Sequence, residues 1–400
     1  MSTRRQRPRW IPTVAVGLVV LVVGLWFGGH PTWLPGAVRS VFVSRPSKDR
    51  LINQVLGLLQ NDYYRPVNRA GLVNSGLQAA VASLDDPYSH YYDPADYRAF
   101  QNQDNPHLSG IGVDITVQPR GLLVQEVFQG SPAAKAGIRR GDLIVSVGAT
   151  SLAGRPVSFS AGLIKGPAGT PVTLTVQSSG RRRVVTVRRA DIVVPVADSR
   201  ILVYHHVKIG YVQLTSFTQG SGAQVRQQVR SVLGQGAKAL ILDLRENGGG
   251  LLEEAVNVAS VFIPNGTIVT TAGRAQPREV YLAKGDAIAT SQPMVVLVDS
   301  GTASSAEIVT AALEQRGRAT VVGTHTYGKG VFQEIQPLIN GGALDFTVGE
   351  FYTPNGENLG GGGVRRGPGI KPQVYAYTPP TARTDTALAV AERTVVAKLR

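Results

Sequence analysis

The spacing of hydrophobic residues changes several times along this chain. The first clear feature is a long apolar run. Residues 11–29 (IPTVAVGLVVLVVGLWFGG) carry no charge over 19 positions, which is about the length that crosses the hydrocarbon core of a bilayer. Several arginines within residues 1–10 precede the run, and positive flanking charge stays in the cytoplasm. The pattern therefore predicts a cytoplasmic basic tail at 1–10 and a single transmembrane segment at 11–29.

A cleaved signal peptide is the alternative interpretation of the same run. The run is longer than the usual apolar region of a signal peptide, and no clear A-x-A cleavage site follows it. An uncleaved anchor in the cell membrane is therefore favoured, with the rest of the chain on the extracytoplasmic side, either periplasmic or extracellular. Whether the segment is cleaved stays open.

Residues 38–103 have helical spacing and predict a small N-terminal helical domain. Its first segment places four apolar side chains on one helical face: Leu51, Val55, Leu58 and Leu59. A second helix is expected at 70–84. Asp-Pro dipeptides within 83–100 predict a turn that leads into a short helix capped by Asp93.

Residues 104–190 change to short strand patterns separated by glycine, proline and serine clusters, such as GIGVDITV, GLLVQEVF and PVTLTVQ. This order of strands, with SGIG before the first one, resembles a PDZ domain. The resemblance implies that backbone N–H groups of a glycine-containing loop bind a peptide's terminal carboxylate while the peptide adds as a strand. An alternative is that the glycines only shape a turn. The loop residues are Ser109, Gly110, Ile111 and Gly112.

Residues 191–400 alternate between apolar runs and helical patterns, which predicts a layered α/β core with a C-terminal extension. The expected fold class is therefore multidomain α/β plus β. No Walker-type loop, H-E-x-x-H helix or EF-hand loop occurs in the sequence, and the glycines at 360–363 lack the Lys-Ser/Thr pair of a phosphate-binding loop. The sequence predicts neither a cofactor nor a metal.

The amino-acid composition excludes further kinds of catalytic and metal-binding sites. The chain has no cysteine, which excludes a thiol nucleophile, a disulfide framework and a thiolate metal site. The net charge of +14 and the basic stretch at 181–189 would suit nucleic acid. However, Val185 and Val187 alternate with polar residues as in a strand, and an extracytoplasmic protein rarely meets nucleic acid. Attraction to anionic lipid headgroups is the preferred interpretation.

The stretch VDSGTASSAEIV at 298–309 contains a candidate nucleophile. Ser304 and Glu307 form an S-x-x-E capping box, which accounts for the serine without any chemistry. A nucleophilic serine also needs a base. His325 is one candidate, although a surface histidine is its simpler interpretation. Lys329, which lies between two glycines, is the other, because a buried lysine can serve as a base. A solvated loop lysine is the alternative interpretation of Lys329 alone.

Several segments resemble, in order and spacing, the signature segments of the carboxyl-terminal processing peptidases, also called tail-specific proteases. They are DLRENGGGLLEEAV (243–256), DSGTASSAEIVTAALEQRGRATVVG (299–323), TYGKGVFQEI (326–335) and GEFYTPNGENL (349–359), with further matches in SLDDPYSHYYDP (83–94), SGIGVDI (109–115) and GIKPQV (369–374). The resemblance implies a serine peptidase with a PDZ domain and a core of the crotonase/ClpP-like layered α/β type.

The resemblance also implies roles for individual positions. Ser304 corresponds to the nucleophile, Lys329 to the general base, and Gln333 to the residue that orients the lysine. The backbone N–H groups of Gly250 and Ser305 correspond to the donors that stabilise an oxyanion.

The chain departs from the family pattern in three places. It reads NGGG at 247–250 where the family usually reads N-P-G-G, and SSAE at 304–307 where the family usually reads S-A-S-E, and neither change removes a catalytic group. Lys165 stands where members often carry an arginine that couples the PDZ domain to the active site, and lysine keeps the charge without the planar fork.

We therefore expect a membrane-anchored serine endopeptidase that cleaves extracytoplasmic proteins near their C-termini, with the PDZ domain recognising the substrate C-terminus. Its partners would be protein substrates with exposed C-termini and membrane lipid, but not nucleic acid. One alternative is a binding protein whose core has lost activity, and another is a non-peptidase enzyme that stabilises an oxyanion. The physiological substrate, the cleavage-site preference, the oligomeric state and any gating partner stay open.

Overall fold

The computed structural model describes residues 48–104 and 107–399, and the chain divides into two compact units, one ending at Ala80 and the other beginning at Val81. The predicted basic tail at 1–10 and transmembrane segment at 11–29 lie outside the described residues. In the part of the chain that is described, no helix combines the length and apolar character needed to cross a membrane.

The described part of the first unit consists of helix α1 (Lys48–Asp62) and most of helix α2 (Arg69–Ala82). The apolar face expected on α1 is exposed, since Leu51 has 60% of its surface accessible. Helix α2 contains no buried residue. A hydrogen bond of 3.1 Å from the Arg69 guanidinium to Asn53 Oδ1 joins the two helices. The described helical pair thus has no buried core of its own.

A β domain within the second unit is built on a six-stranded sheet in the order β3-β4-β5-β7-β8, with β6 paired to β5. Its elements are β2 (His107–Gly110), β3 (Val113–Gln118), β4 (Gly121–Val127), α4 (Pro132–Lys135), β5 (Leu143–Val147), β6 (Thr150–Ser151), α5 (Val157–Ile164), β7 (Pro171–Ser178), β8 (Arg181–Arg188) and β9 (Ala190–Val193). Strand β2 pairs with β9, so the chain enters and leaves this domain along one ribbon. Ile144 and Leu174 lie fully buried in its core.

The layered core contains two sheets. Its elements are β10 (Ala197–Tyr204), β11 (Val207–Leu214), α6 (Ser221–Gly234), β12 (Ala239–Asp243), α7 (Leu252–Ala259), β13 (Thr267–Ala272), β14 (Glu279–Leu282), β15 (Met294–Val298), α8 (Ser305–Gln315), β16 (Thr320–Gly323), β17 (Val331–Pro337), β18 (Ala343–Tyr352), β19 (Val374–Tyr375) and α9 (Thr386–Ala397). The main sheet has the order β10-β11-β12-β15-β16-β19 and is parallel from β11 onward.

Helices cover both faces of the main sheet. Helices α6, α7 and α8 supply Val225, Val256 and Val309 to the apolar cluster on one face. Helix α9 supplies Ala391 and Val395 to the cluster on the other face. Strands β12 and β15 are buried at every position, which explains their unbroken apolar runs in the sequence. The predicted layered α/β core is confirmed.

The second sheet has the order β1-β18-β13-β14, and β17 also pairs with β18. Strand β1 (His90–Tyr92) precedes helix α3 (Pro94–Asp104) and falls inside the predicted helical domain at 38–103. It nevertheless pairs with β18, with His90 opposite Asp345. A strand of three residues is too short for its spacing to be recognised in the sequence. The predicted domain boundaries stay predictions.

Three loops meet at the carboxyl edge of the main sheet. Strands β12, β15 and β16 are neighbouring parallel strands, so their carboxyl ends lie side by side. The loops that follow these strands carry the glycines at 248–250, Ser304 and Lys329. The fold therefore collects the predicted site residues at one edge of the sheet.

Candidate active site

Ser304 occupies a strained turn between strand β15 and helix α8. Its φ is 54° and its ψ is −119°, a combination that costs a non-glycine residue about 1–3 kcal/mol. A sharp strand-to-helix turn at a sheet edge is the position that the nucleophilic serine of α/β-hydrolases occupies. The turn is held by hydrogen bonds from the N–H of Ala303 to the carbonyl of Asn247, at 3.0 Å, and from the N–H of Ile308 to the carbonyl of Ser304, at 2.9 Å.

Glu307 ties this turn to the loop of the lysine. Its carboxylate is fully buried and accepts the backbone N–H groups of Ser304, Gly328 and Lys329 at 2.9, 2.7 and 3.0 Å. The Thr326 hydroxyl also donates to it, at 2.5 Å. Burial raises the pKa of Glu307 although these hydrogen bonds oppose the rise. The sequence assigned Glu307 only a capping role, and the structure adds this second one.

Lys329 follows strand β16 and lies between two glycines that approach neighbouring backbone. A Cβ on Gly328, whose φ is +87°, would lie 2.4 Å from the carbonyl oxygen of Gly367, and one on Gly330 would lie 2.1 Å from Asn358 Oδ1. No side chain fits at either position. The two glycines thus allow neighbouring backbone to approach closely on either side of the lysine.

The amine of Lys329 is held among polar and aromatic groups. Its Nζ donates to Gln333 Oε1 at 2.6 Å and lies 4.5 Å from the centroid of the Tyr88 ring. Burial lowers the pKa of Lys329, and the nearby carboxylates of Asp345, Asp86 and Glu307 oppose the shift without cancelling it. The amine is therefore easier to deprotonate than that of an exposed lysine.

Gln333 lies on strand β17 and joins Lys329 to the neighbouring strand. Its Nε2 donates to Thr347 Oγ1 at 3.0 Å, and these two residues face each other in the β17–β18 ladder. The predicted base and its predicted orienting glutamine are therefore in direct contact.

The glycine run after Asn247 lies directly against the serine turn. A Cβ on Gly249, whose φ is +99°, would lie 2.8 Å from the carbonyl oxygen of Ala303 and 2.9 Å from Ser304 Cβ. The Ser305 hydroxyl donates to the carbonyl of Gly250 at 2.8 Å. The predicted oxyanion donors therefore belong to adjoining segments.

The backbone N–H groups of Gly250 and Ser305 have no backbone or side-chain acceptor among the described residues. Both groups are therefore available to a substrate oxygen. His325, the alternative base, is exposed and stands two residues beyond strand β16.

A groove in the β domain contains most of the residues predicted to bind a substrate C-terminus. Gly110, Ile111, Gly112 and Lys165 line a cavity of about 60 Å³. Its other lining residues are mainly apolar: Val113, Ile115, Phe128, Ala161, Ile164 and Ile192. Ser109, the remaining predicted residue, does not line the cavity, and its carbonyl accepts the N–H of Gly166 at 3.3 Å.

Several residues near the lysine were not assigned a role from the sequence. Tyr88 covers the amine, Thr347 binds Gln333, and Asp86 is one of the carboxylates that act on Lys329. Tyr88 and Asp86 belong to the segment SLDDPYSHYYDP, which was quoted only as part of the resemblance. Nothing in its spacing indicates that it lies beside residue 329.

Comparisons with known proteins give one family for the core and one for the β domain. Residues 208–375 match Peptidase family S41, and residues 123–178 match the PDZ domain family. The PDZ resemblance of the sequence is thereby confirmed.

Curated relatives and a solved structure extend the match to most of the chain. The chain is 34% identical over 385 residues to the carboxy-terminal processing protease CtpA of Bacillus subtilis (strain 168), covering 95% of this chain and 79% of that protein. It is 33% identical over 301 residues to the chloroplastic carboxyl-terminal-processing peptidase 2 of Arabidopsis thaliana, covering 72% of this chain and 58% of that protein. The solved photosystem II D1 C-terminal processing protease has a TM-score of 0.51 and 28% identity, covering 86% of this chain and 90% of that chain.

Proposed function

This chain belongs to peptidase family S41 and is a serine peptidase of the carboxy-terminal processing type, and from that premise we propose that Ser304 is its nucleophile and Lys329 its general base. The observation that carries the proposal is the shared carboxylate of Glu307, which accepts the backbone N–H groups of both residues at 2.9 and 3.0 Å. Because one carboxylate accepts hydrogen bonds from both backbones, the backbone positions that carry the two side chains lie close together.

In the proposed reaction the neutral amine of Lys329 takes the proton of the Ser304 hydroxyl while Oγ attacks the scissile carbonyl carbon. The C–N bond then breaks, the Lys329 ammonium gives its proton to the leaving amine, and an acyl ester of Ser304 remains. The same amine then deprotonates a water molecule, which hydrolyses the ester and releases the serine. The lowered pKa of the buried lysine supports this role, because a protonated amine cannot act as a base.

The negative oxygen of the tetrahedral intermediate would be stabilised by the backbone N–H groups of Gly250 and Ser305. Ser305 is the first residue of helix α8, so the helix dipole also favours negative charge at this point. Gln333 would hold the amine through its 2.6 Å hydrogen bond, which limits the directions in which the nitrogen lone pair can point.

The groove of the PDZ domain would bind the C-terminus of the substrate. Backbone N–H groups of the loop 110–112 would bind the carboxylate, Lys165 would add positive charge at one end, and the apolar lining would contact the last side chain. The proposed substrates are protein chains with exposed C-termini, which are cleaved near those ends. Lys165 lacks the planar fork of the family's arginine, so coupling between Lys165 and the active site is not part of the proposal.

The apolar segment at 11–29 and the arginines before it support a further proposal, that the enzyme is a single-pass membrane protein with its catalytic domain outside the cytoplasm. Its substrates would then be extracytoplasmic proteins, and its basic surface would face lipid headgroups. A homo-oligomer or a regulatory partner is compatible with this proposal and is not part of it.

Proteolysis by the full-length protein in detergent tests the proposal. Ser304→Ala and Lys329→Ala should each abolish cleavage of labelled casein, whereas Lys238→Ala, which removes an exposed lysine of the same core, should not. Cleavage by Ser304→Ala at the rate of the unmodified enzyme would show that another residue is the nucleophile.

A further inference from the structure

A chain of hydrogen bonds connects Lys329 to an acidic residue far away in the sequence. Lys329 Nζ donates to Gln333 Oε1 at 2.6 Å, and Gln333 Nε2 donates to Thr347 Oγ1 at 3.0 Å. The Thr347 side chain is also one of the groups that lower the pKa of the Asp86 carboxyl group. The route therefore runs from the amine through an amide and a hydroxyl to a carboxylate.

A second connection holds the carboxylate in place. The Ser89 hydroxyl donates to Asp86 Oδ2 at 2.6 Å, and the backbone N–H of Tyr88 donates to Asp86 Oδ1 at 2.9 Å. Ser89 Oγ in turn accepts the backbone N–H of Thr347 at 3.1 Å, so Ser89 joins Asp86 to Thr347. Ser89 is buried, with 6% of its surface exposed.

Asp86 determines the direction of the hydrogen bond that it shares with the Ser89 hydroxyl. Burial raises the pKa of Asp86, but hydrogen bonds from Ser89, Tyr88 and Thr347 and the charge of Lys329 outweigh that effect and lower the pKa overall. An ionised carboxylate can only accept hydrogen bonds. The Ser89 hydroxyl must therefore donate to Asp86, which leaves Ser89 Oγ to accept the N–H of Thr347. Thr347 Oγ1 in turn accepts the NH₂ group of Gln333, which turns the carbonyl oxygen of Gln333 toward Lys329.

We propose that Asp86 and Thr347 are positioning residues that fix the amide of Gln333 with its oxygen toward Lys329, and so direct the nitrogen lone pair of the lysine toward Ser304. With the opposite amide orientation an NH₂ group would face the amine, and the amine would have no acceptor for its own N–H. The inference rests on the proposed function, since it assumes that Lys329 is the base.

The charged and titratable groups that face the Lys329 amine are the carboxylates of Asp345, Asp86 and Glu307 and the phenol of Tyr88. Each carboxylate favours the ammonium form, so removing the charge of Asp86 lowers the pKa of the lysine. The loss of positioning and the loss of charge therefore have separable effects, one on the maximal rate and the other on the pH at which half of that rate is reached.

The test compares matched variants of the full-length enzyme in detergent, with an internally quenched peptide that has a free C-terminus. Asp86→Asn and Thr347→Val should lower kcat about 10- to 100-fold with little change in KM, because misplacement of a base costs rate rather than binding. Asp86→Asn should also move the rising limb of the pH–rate profile to lower pH, whereas Thr347→Val, which keeps the charge, should not. Thr347→Ser should retain most activity.

Asp85→Asn is the matched control, since it removes a neighbouring charge whose side chain is 86% exposed and paired with Arg365 at 3.1 Å. It should change neither kcat nor the pH profile. The inference is wrong if Asp86→Asn and Thr347→Val both keep the kcat of the unmodified enzyme while Ser304→Ala and Lys329→Ala are inactive. If the last two variants are active, the proposed function itself fails. Should Asp86→Asn not fold, the contrast between Thr347→Val and Thr347→Ser decides.

Discussion

The backbone N–H of Ser304 donates to the carboxylate of Glu307 at 2.9 Å, so the residue that carries the proposed nucleophile is also the N-cap of helix α8. The two interpretations that the sequence left open, a helix cap and a nucleophile, are therefore compatible at one position. The cap arrangement places the serine where the dipole of the helix favours developing negative charge. Stability and activity should consequently respond in different ways to substitution at this residue.

Substitution of Ser304 separates these two roles. Ser304→Gly should raise the free energy of unfolding by about 1 kcal/mol relative to Ser304→Ala, because glycine adopts a φ of 54° without strain. Both variants should lack peptidase activity. Urea unfolding and a casein assay measure the two quantities. A Ser304→Gly enzyme that is less stable than Ser304→Ala would contradict the strained turn.

The pH dependence of cleavage should identify the base. Burial lowers the pKa of Lys329, and only the neutral amine accepts a proton, so the rate should rise as pH increases through a pKa below that of an exposed lysine. Lys329→Arg should be inactive, because arginine is not deprotonated in proteins. His325→Ala should retain substantial activity, since His325 is exposed. If Lys329→Arg were active and His325→Ala inactive, the base would be a histidine and not Lys329.

The glycine run offers a matched pair of substitutions. A Cβ on Gly249 would lie 2.8 Å from the Ala303 carbonyl oxygen and 2.9 Å from Ser304 Cβ, whereas one on Gly248 would meet nothing within 4 Å. Gly249→Ala should therefore displace the serine turn and lower kcat by at least about 100-fold. Gly248→Ala should remain close to the unmodified enzyme. Equal kcat values for the two variants would show that the turn tolerates the displacement.

Recognition of the substrate C-terminus can be tested on the peptide rather than on the enzyme. If the N–H groups of Gly110 to Gly112 bind a terminal carboxylate, amidation removes the charge that they complement and should raise KM for the same peptide. Ala161→Phe, a substitution at a residue that lines the groove, should reduce the difference in KM between the two peptides by filling the cavity. Identical kinetics for free-acid and amidated peptides would argue against PDZ-directed selection.

The sequence by itself determined the PDZ domain and the layered α/β core, and it identified Ser304, Lys329 and Gln333 as candidate site residues. Strands β12 and β15 were recognisable because buried parallel strands need unbroken apolar runs. Ser304, Lys329 and Gln333 were recognisable because the segments around them resemble family signatures. The membrane segment at 11–29 stays a prediction from sequence alone.

Only the tertiary structure decided which residues surround the lysine. The N–H of Thr347 donates to Oγ of Ser89, a residue 258 positions away in the sequence. The spacing of residue types along the sequence does not indicate such a contact. The roles of Asp86 and Tyr88 come from the packing of a short segment against strand β18, and their own neighbours in the sequence do not indicate them. The second role of Glu307 appears for the same reason, since its buried carboxylate needs several donors and only the folded chain brings them together.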